Sequence, residues 1–172
     1  MMKAIMNAIN FYKINPQNKD DLLNLYDTLK TIQYPFLKSL YPDKIINYIV
    51  YLTNENSLKD KIVCDGFIYY LVVKNNVTIG YFSCKMTEDS LLIYEIRFME
   101  DKKEETLYEN IMDFLKQKTK KFALKKITAY VQKNDNYTND IFKKLHFKLK
   151  DFQARYIGCD IYLFENVFEY II

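Results

Sequence analysis

Residues that bind metals or form disulfides are scarce in this chain of 172 residues. It has three cysteines and one histidine, and Cys64, Cys84 and Cys159 are widely spaced, without a Cys-x-x-Cys pair. Such spacing is untypical of a zinc site or a disulfide framework. Cys84 is expected within a strand and Cys159 at the start of one. The cysteines are therefore interpreted as reduced thiols, and no metal site is predicted.

Arginine and long apolar runs are also lacking. Only two of the 25 basic residues are arginine, and the net charge is a mild +3. A nucleic-acid binder more often shows arginines interleaved with aromatic residues, so no nucleic-acid partner is predicted. The longest apolar stretches, such as residues 67–73, are too short to cross a bilayer, and residues 1–10 lack the apolar centre of a signal peptide. We expect a cytoplasmic protein with no membrane partner.

What is present favours one ordinary globular domain over residues 1–172, because 49% of the residues are hydrophobic and 27% are charged. Asn18 can cap a helix whose leucines recur at helical spacing. Pro42 suits the first turn of a second helix, which should run to about Leu52. Residues 53–65 are polar and are expected to form a loop.

The middle of the chain predicts strands, then a helix, then another strand. Strands are expected at 67–73, 78–87 and 91–99, with Asn75 and Asn76 supplying the left-handed conformation of a tight hairpin. A helix over 104–122 leads to a strand at 127–131, and such a crossover implies parallel pairing with the strand before the helix. A mixed sheet with helices on both faces follows.

The last third predicts a short helix and two strands. An asparagine corner at 134–136 precedes a helix at 137–145, and His146 is interpreted as the residue that ends it. Strands are expected near 147–152 and 159–164. Residues 167–172 are unusually apolar and are expected to dock on the body of the protein or on a second subunit, as in a homodimer.

This order of elements, with Gly80 in the second of the three successive strands, resembles the GCN5-related N-acetyltransferase (GNAT) family over roughly residues 9–165. The resemblance implies an α/β fold with a central, mixed but mostly antiparallel sheet, flanked by helices on both faces. It also implies transfer of an acyl group from coenzyme A to an amine. Acetyl-CoA would then be the cosubstrate, and the partner would be a small-molecule or protein amine.

In the family, the fourth strand ends in an apolar-x-apolar step whose backbone holds the acyl group and pantetheine. Ile96, Arg97 and Phe98 stand there in this chain. A pyrophosphate loop of the form Arg/Gln-x-x-Gly-x-Gly/Ala follows, at a helix start where amide groups and the helix dipole favour an anion. The matching positions are Lys103, Glu104, Glu105, Thr106, Leu107 and Tyr108. Lys103 keeps the basic character, whereas the small residues are replaced, and an ordinary helix start with stabilising acids remains the alternative.

A second match covers the family pattern Asn-x-x-Ala-x-x-Leu-Tyr-x-x-Leu-Gly-Phe. The matching residues are Asp135, Thr138, Ile141, Phe142, Leu145, His146 and Phe147, with Asn134 and Asn136 one step to either side. The resemblance implies that Asn134 and Phe142 lie beside the cofactor. Phe142 replaces the tyrosine that protonates the leaving thiolate, so Tyr137 is the candidate acid, with Tyr130 or simple packing of both rings as alternatives.

Amine acetylation also needs a base, because an ammonium group has no lone pair with which to attack a thioester. Glu95 lies in the otherwise apolar strand 91–98 and is the candidate. The alternative is a glutamate at the sheet edge, paired with Arg97 or with a lysine. The function expected from the resemblance is an acetyl-CoA-dependent N-acetyltransferase. A non-catalytic binding or dimerisation module of the same fold is the alternative function.

Overall fold

The computed structural model describes residues 9–172. The prediction that residues 1–10 form no signal peptide therefore falls mostly outside the described residues. The strands are β1 (Ile9–Lys13), β2 (Phe67–Lys74), β3 (Val77–Met86), β4 (Ser90–Phe98), β5 (Lys126–Gln132), β6 (Lys148–Gly158) and β7 (Ile161–Ile171). The helices are α1 (Lys19–Leu40), α2 (Asp43–Leu52), α3 (Glu55–Val63), α4 (Glu105–Lys121) and α5 (Asn136–Lys144). Within the described part, no helix is long and apolar enough to cross a membrane.

The strands form one seven-stranded sheet in the order β1-β2-β3-β4-β5-β7-β6. Strands β4 and β5 pair in parallel, as the helical crossover through α4 predicts. The remaining neighbours pair antiparallel. The predicted mixed, mostly antiparallel sheet is therefore confirmed.

Helices cover both faces of this sheet. On one face, α4 and α5 bury residues such as Ile111, Leu115 and Phe142 against the strands. On the other face, α1 and α3 bury leucines such as Leu25 and Leu58. The prediction of helices on both faces of the sheet is thus confirmed.

Short polar residues end several elements as their chemistry predicts. Asn75 and Asn76 have φ values of 53° and 62° in the β2–β3 hairpin, which is the left-handed conformation that asparagine tolerates. His146 has a φ of 65° just after α5, which confirms that it ends this helix. The Asn18 side chain caps α1 by accepting a hydrogen bond from the Asp20 amide at 3.0 Å.

The loop predicted at residues 53–65 is wrong, because α3 occupies most of it. Asn54 and Ser57 form a capping box: Asn54 Oδ1 accepts from the Ser57 amide at 3.0 Å, and Ser57 Oγ accepts from the Asn54 amide at 2.9 Å. Only Leu58 of this helix is fully buried. A helix with so narrow an apolar face gives little periodic signal, and the capping pair was the cue that was missed.

The two final strands are longer than predicted, and Cys159 lies in the turn between them with a φ of 49°. The expectation that residues 167–172 dock on a surface is corrected, since most of them form the second half of β7. This strand pairs with β5 on one side and β6 on the other. The segment is apolar because it is an interior strand, with Phe168 buried against Phe142.

Candidate functional site

Strands β4 and β5 diverge halfway along their length. Their parallel pairing runs only from Ser90 opposite Lys126 to Ile93 opposite Ala129. Beyond that point β4 remains paired with β3, and β5 with β7. A bulge at Tyr94 marks the divergence, because Cys84 faces Ile93 while Ser83 faces Glu95. A bulge of this kind redirects the side chains that follow it. Here it lies where the pairing between β4 and β5 ends.

A cavity of about 460 Å³ lies at the ends of these two strands, which we call the strand-end cavity. It is bounded by α1, by the end of β4 and by the starts of α4 and α5. Of the residues proposed for the site from the sequence, six line it. They are Arg97, Phe98, Lys103, Tyr108, Asn134 and Tyr137.

Lys103 and Tyr137 are in direct contact at the edge of the strand-end cavity. The Lys103 ammonium nitrogen lies 4.1 Å from the centroid of the Tyr137 ring, within the range of a cation–π interaction. Partial burial, followed by the Glu105 carboxylate, raises the pKa of the Tyr137 hydroxyl above its ordinary value. Tyr137 is therefore a protonated phenol at neutral pH.

The Arg97 side chain spans the gap between the diverging strands. Its guanidinium nitrogen lies 3.4 Å from a carboxylate oxygen of Asp135, at the start of α5. It also donates to the Ile96 carbonyl at 2.9 Å and stacks on Phe36, 3.8 Å from the ring centroid. Asp135 additionally caps α5 by accepting from the Thr138 amide at 3.1 Å. The capping role of Asp135 agrees with the turn or cap cluster predicted at 134–136, since aspartate is a preferred N-cap residue. Its pairing with Arg97 was missed.

The two glutamates at the start of α4 turn toward lysines on other elements. Glu104 lies 3.8 Å from the Lys74 ammonium on β2, and Glu105 forms an ion pair with Lys144 on α5. Neither glutamate lines the strand-end cavity. Their negative charges are thus directed to the protein surface and partly neutralised there.

Tyr108 occupies the place where the family pattern has a small residue. Its side chain is 1% exposed, and its ring centroid lies 5.1 Å from that of Phe98 and 6.1 Å from that of Tyr137. Burial raises the pKa of the Tyr108 hydroxyl to about 12. This side chain forms part of the cavity wall and narrows the space between α4 and α5.

A second cavity, of about 260 Å³, lies between the sheet and the helices α1, α2 and α3, and we call it the helix-roofed cavity. Glu95 lines it and accepts hydrogen bonds from Gln33 at 2.8 Å and from the Tyr81 hydroxyl at 3.3 Å. Burial and then the Glu95 carboxylate raise the pKa of Tyr81. Because Arg97 pairs with Asp135, the alternative of a Glu95–Arg97 pair is wrong. Nothing in the sequence singled out Gln33 or Tyr81 as partners of Glu95.

The solved structures with a similar fold include N-acetyltransferases. The PaiA N-acetyltransferase from Thermoplasma acidophilum, crystallised with coenzyme A, matches with a TM-score of 0.76 and 14% identity, covering 96% of this chain and 99% of its own. A GCN5-related N-acetyltransferase from Rhodopseudomonas palustris has a TM-score of 0.74, 13% identity and coverage of 100% and 99%. The ribosomal-protein-S18-alanine N-acetyltransferase from Escherichia coli matches with a TM-score of 0.67 and 12% identity, covering 97% of this chain and 94% of its own.

The chain has the GNAT fold. No protein-family model matches it, and no curated protein sequence is significantly similar to it. The identities to the solved structures are low enough that the similarity establishes the fold alone. The surroundings of each residue in this GNAT fold therefore indicate whether it could act on a substrate.

Six of the residues proposed from the resemblance line neither cavity of this GNAT fold: Ile96, Glu104, Glu105, Thr106, Leu107 and Phe142. Ile96 is buried in the core. Phe142 is 2% exposed, with its ring centroid 4.9 Å from Phe147 and 5.8 Å from Phe168. Leu107 is buried in the same core, and Thr106 is exposed on α4. The Cys84 thiol is also buried, which raises its pKa to about 12. A nucleophilic role for Cys84 is therefore disfavoured.

Proposed function

We propose that this protein is an acetyl-CoA-dependent N-acetyltransferase that acts on a primary amine of a small molecule or protein. One observation carries the proposal: Glu95 and Arg97 are two residues apart on the same face of β4, and each lines a different cavity. Since a strand rises about 3.3 Å per residue, the backbone positions of these two residues are about 7 Å apart, so the cavities that they line flank neighbouring positions of one strand. An acyl donor in one cavity could thus meet an amine in the other.

The strand-end cavity offers Lys103 and the start of α4 to the acyl donor. Lys103 and Arg97 line it together with Glu100 and Asp135, and Asp135 is paired with Arg97. At the start of α4, backbone amides and the helix dipole favour phosphate groups. The carboxylates of Glu104 and Glu105 turn to lysines and do not face it. In this proposal Lys103 and the amides of residues 104–108 hold the pyrophosphate, and the backbone of Ile96, Arg97 and Phe98, with Asn134, lines the pantetheine path.

The chemistry assigned to the chain consists of two proton transfers. Acetyl-CoA supplies an acetyl thioester, whose C–S bond breaks as the amine nitrogen forms a C–N bond. Glu95 accepts the proton that the amine loses, directly or through a water. Tyr137, protonated at neutral pH, gives its proton to the sulfur that leaves. The products are the acetylated amine and free coenzyme A.

Calorimetric titration with acetyl-CoA, and with free coenzyme A for comparison, tests the donor site. Lys103→Glu should weaken binding roughly tenfold or more, because a charge-assisted contact is lost and a repulsive charge takes its place. Lys120→Glu, at the opposite end of α4, makes the same change in net charge away from the cavity and should leave affinity unchanged. Equal affinities of the wild type and Lys103→Glu would remove Lys103 from the site.

Glu95→Gln tests the proposed base. The amide retains acceptor capacity toward Gln33 and Tyr81 but takes up no proton, so turnover should fall about a hundredfold or more while acetyl-CoA affinity is retained. Turnover is measured as free thiol released from acetyl-CoA in the presence of amines. Unchanged turnover in the variant would exclude Glu95 as the base.

A non-catalytic relative of this fold is the second candidate. Tyr108 favours it, since this buried ring stands where a small residue would let a ligand approach α4 closely. Arg97 favours it as well, because its guanidinium already occupies the Ile96 carbonyl. Absence of heat and of competition at millimolar acetyl-CoA would establish this second function and overturn the first.

A further inference from the structure

The helix-roofed cavity has predominantly apolar walls. Aliphatic side chains reach it from the helices above and from the last two strands: Leu29, Leu37, Ile49, Leu58, Ile157 and Leu163. Aromatic side chains of Phe67, Tyr69 and Tyr94 add to the wall from the sheet. A ligand that fills this cavity gains stability mainly by burying apolar surface.

Among the acids near this cavity, Glu165 is already neutralised. Its carboxylate is 2% exposed, and Arg155 holds it with two nitrogens, at 2.7 Å and 3.1 Å from one oxygen. Gln153 donates to the other oxygen at 2.9 Å. Arg155 and Glu165 therefore neutralise each other, and Glu165 offers no open anion for a second ammonium. Among the described residues, the other basic residue that lines the cavity is the exposed Lys61.

Glu95 differs from Glu165 in its partners. It accepts hydrogen bonds from the neutral groups of Gln33 and Tyr81. Within residues 9–172, no lysine or arginine nitrogen lies within 4.0 Å of the Glu95 carboxylate, the distance that defines an ion pair. This carboxylate thus lacks a direct ion-pair partner. Arg155 and the exposed Lys61 also line the cavity, and Arg155 interacts electrostatically with Glu95 but is hydrogen-bonded to Glu165.

A second polar group points to a ligand at the same place. Ser83 lies directly opposite Glu95 in the β3–β4 ladder and lines the same cavity. It is 1% exposed, and its hydroxyl has no hydrogen-bond partner in the described part of the chain. A buried hydroxyl without a partner is costly in free energy. A ligand nitrogen bound at Glu95 would supply the missing partner.

The cavity volume limits the body of such a ligand. A benzene molecule fills an apolar cavity of about 150 Å³, so the volume of about 260 Å³ holds one ring or branched alkyl group with a short arm. A chain with several ammonium groups would bury charges for which the cavity offers no second open carboxylate. A ligand with a carboxylate beside its amine would be repelled by Glu95.

We propose, resting on the proposed function, that the acceptor is a small monoamine with an apolar body of about one ring. Its nitrogen binds Glu95 and Ser83, and its body lies against the leucines of α1 and α3. Phenethylamine represents this class. Spermidine, with several ammonium groups, and phenylalanine, with an α-carboxylate, represent the classes that the cavity disfavours.

Calorimetric titration of the full chain with these three amines, without any acyl donor, tests the proposal. Phenethylamine should bind at least roughly tenfold more tightly than spermidine or phenylalanine. Glu95→Gln should weaken phenethylamine binding roughly tenfold to a hundredfold, as expected for loss of a charge-assisted contact. Glu88→Gln, on the exposed β3–β4 turn, is the matched control and should bind like the wild type.

Ser83→Ala provides a readout that a purely structural role would not give. Its free energy of unfolding should be unchanged or raised, because the hydroxyl has no partner to lose, while its affinity for phenethylamine should fall. Binding of phenethylamine without acetylation by acetyl-CoA would refute the proposed function, and the cavity would then be a monoamine-binding site and not an acceptor site. Acetylation of spermidine in preference to phenethylamine would refute this inference and support the proposed function. Absence of binding by all three amines would also overturn the inference.

Discussion

At the scale of single residues, the most consequential side chain is Arg97. It is 8% exposed and ties the end of β4 to the start of α5 through Asp135, at the level where the strand ladder has stopped. Burying a guanidinium requires compensation of its charge, and Asp135 provides it while also capping α5. One carboxylate therefore stabilises both a helix and the opening in the sheet.

Replacing Asp135 by asparagine separates these two roles. The amide oxygen can still accept from the Thr138 amide, but Arg97 loses its counter-charge. We expect the free energy of unfolding, measured in urea at neutral pH, to fall by about 3 kcal/mol, as for other buried pairs that lose one partner. Asp140→Asn on the same helix removes an exposed pair with Lys143 and should cost less than about 0.5 kcal/mol. Similar losses in both variants would show that Arg97 does not depend on Asp135.

At the scale of elements, the approach of β3 to the end of β4 depends on Gly80. A Cβ atom at this position would lie 2.4 Å from a ring carbon of Phe98 and 2.5 Å from the Arg97 carbonyl oxygen. Non-bonded heavy atoms do not approach this closely, so a side chain at residue 80 would force its neighbours to move. The absence of a side chain at residue 80 therefore sets the position of Arg97 and Phe98 in the strand-end cavity.

Gly80→Ala should lower the free energy of unfolding by about 1–3 kcal/mol, the usual range for overpacking. It should also weaken acetyl-CoA binding, because the backbone of Arg97 and Phe98 must shift. Adding Phe98→Leu should recover only part of the stability, since the clash with the Arg97 carbonyl remains. Chemical denaturation of the single and double variants measures this, and a fully stable Gly80→Ala variant would contradict the close approach.

At the scale of the whole molecule, β7 joins the two parts of the sheet. It lies between β5 and β6, so its residues form part of the interior of the sheet. Its burial changes along its length: Phe168 is fully buried, with its ring centroid 5.8 Å from that of Phe142 on α5. Phe164 is four residues away, a spacing that keeps it on the same face of a strand, yet it is 55% exposed.

This difference in burial gives a matched pair of variants. Phe168→Ala should cost about 3–5 kcal/mol in the free energy of unfolding, because it opens a cavity between Phe142 and the sheet. Phe164→Ala makes the same chemical change on the same strand and should stay within about 0.5 kcal/mol of the wild type. Thermal and urea denaturation compare the two. Equal stability of both variants would mean that β7 is not part of the core.

Much of this fold was predictable from local signals. The asparagine pair at Asn75 and Asn76 and the left-handed residue His146 mark turns through their own backbone preferences. The parallel pairing of β4 and β5 followed from the helix between them. In contrast, α3 was missed because it is too polar to show a helical spacing of apolar residues. The full lengths of β6 and β7 were missed because their exposed aromatic residues interrupt the alternation of apolar and polar side chains that marks a strand.

The candidate site was predictable in part. The resemblance brought forward Lys103, Asn134 and Tyr137, which line one cavity, and the strand position singled out Glu95, which lines the other. Neither the resemblance nor the strand position predicted which residues form ion pairs or hydrogen bonds with the side chains of the site. Arg97 and Asp135 are 38 residues apart, and Gln33 and Glu95 are 62 apart, and no local pattern links residues at such separations.

Local signals along the chain predict most of the segments that turn or are extended, and their order, because backbone preferences and side-chain spacing act over a few residues. What the polar side chains do depends on the folded molecule. There Glu104 and Glu105 turn toward Lys74 and Lys144, and among the described residues no lysine or arginine lies within ion-pair distance of the Glu95 carboxylate. The charge, hydrogen bonding and burial of a group depend on neighbours that folding brings together from distant parts of the chain.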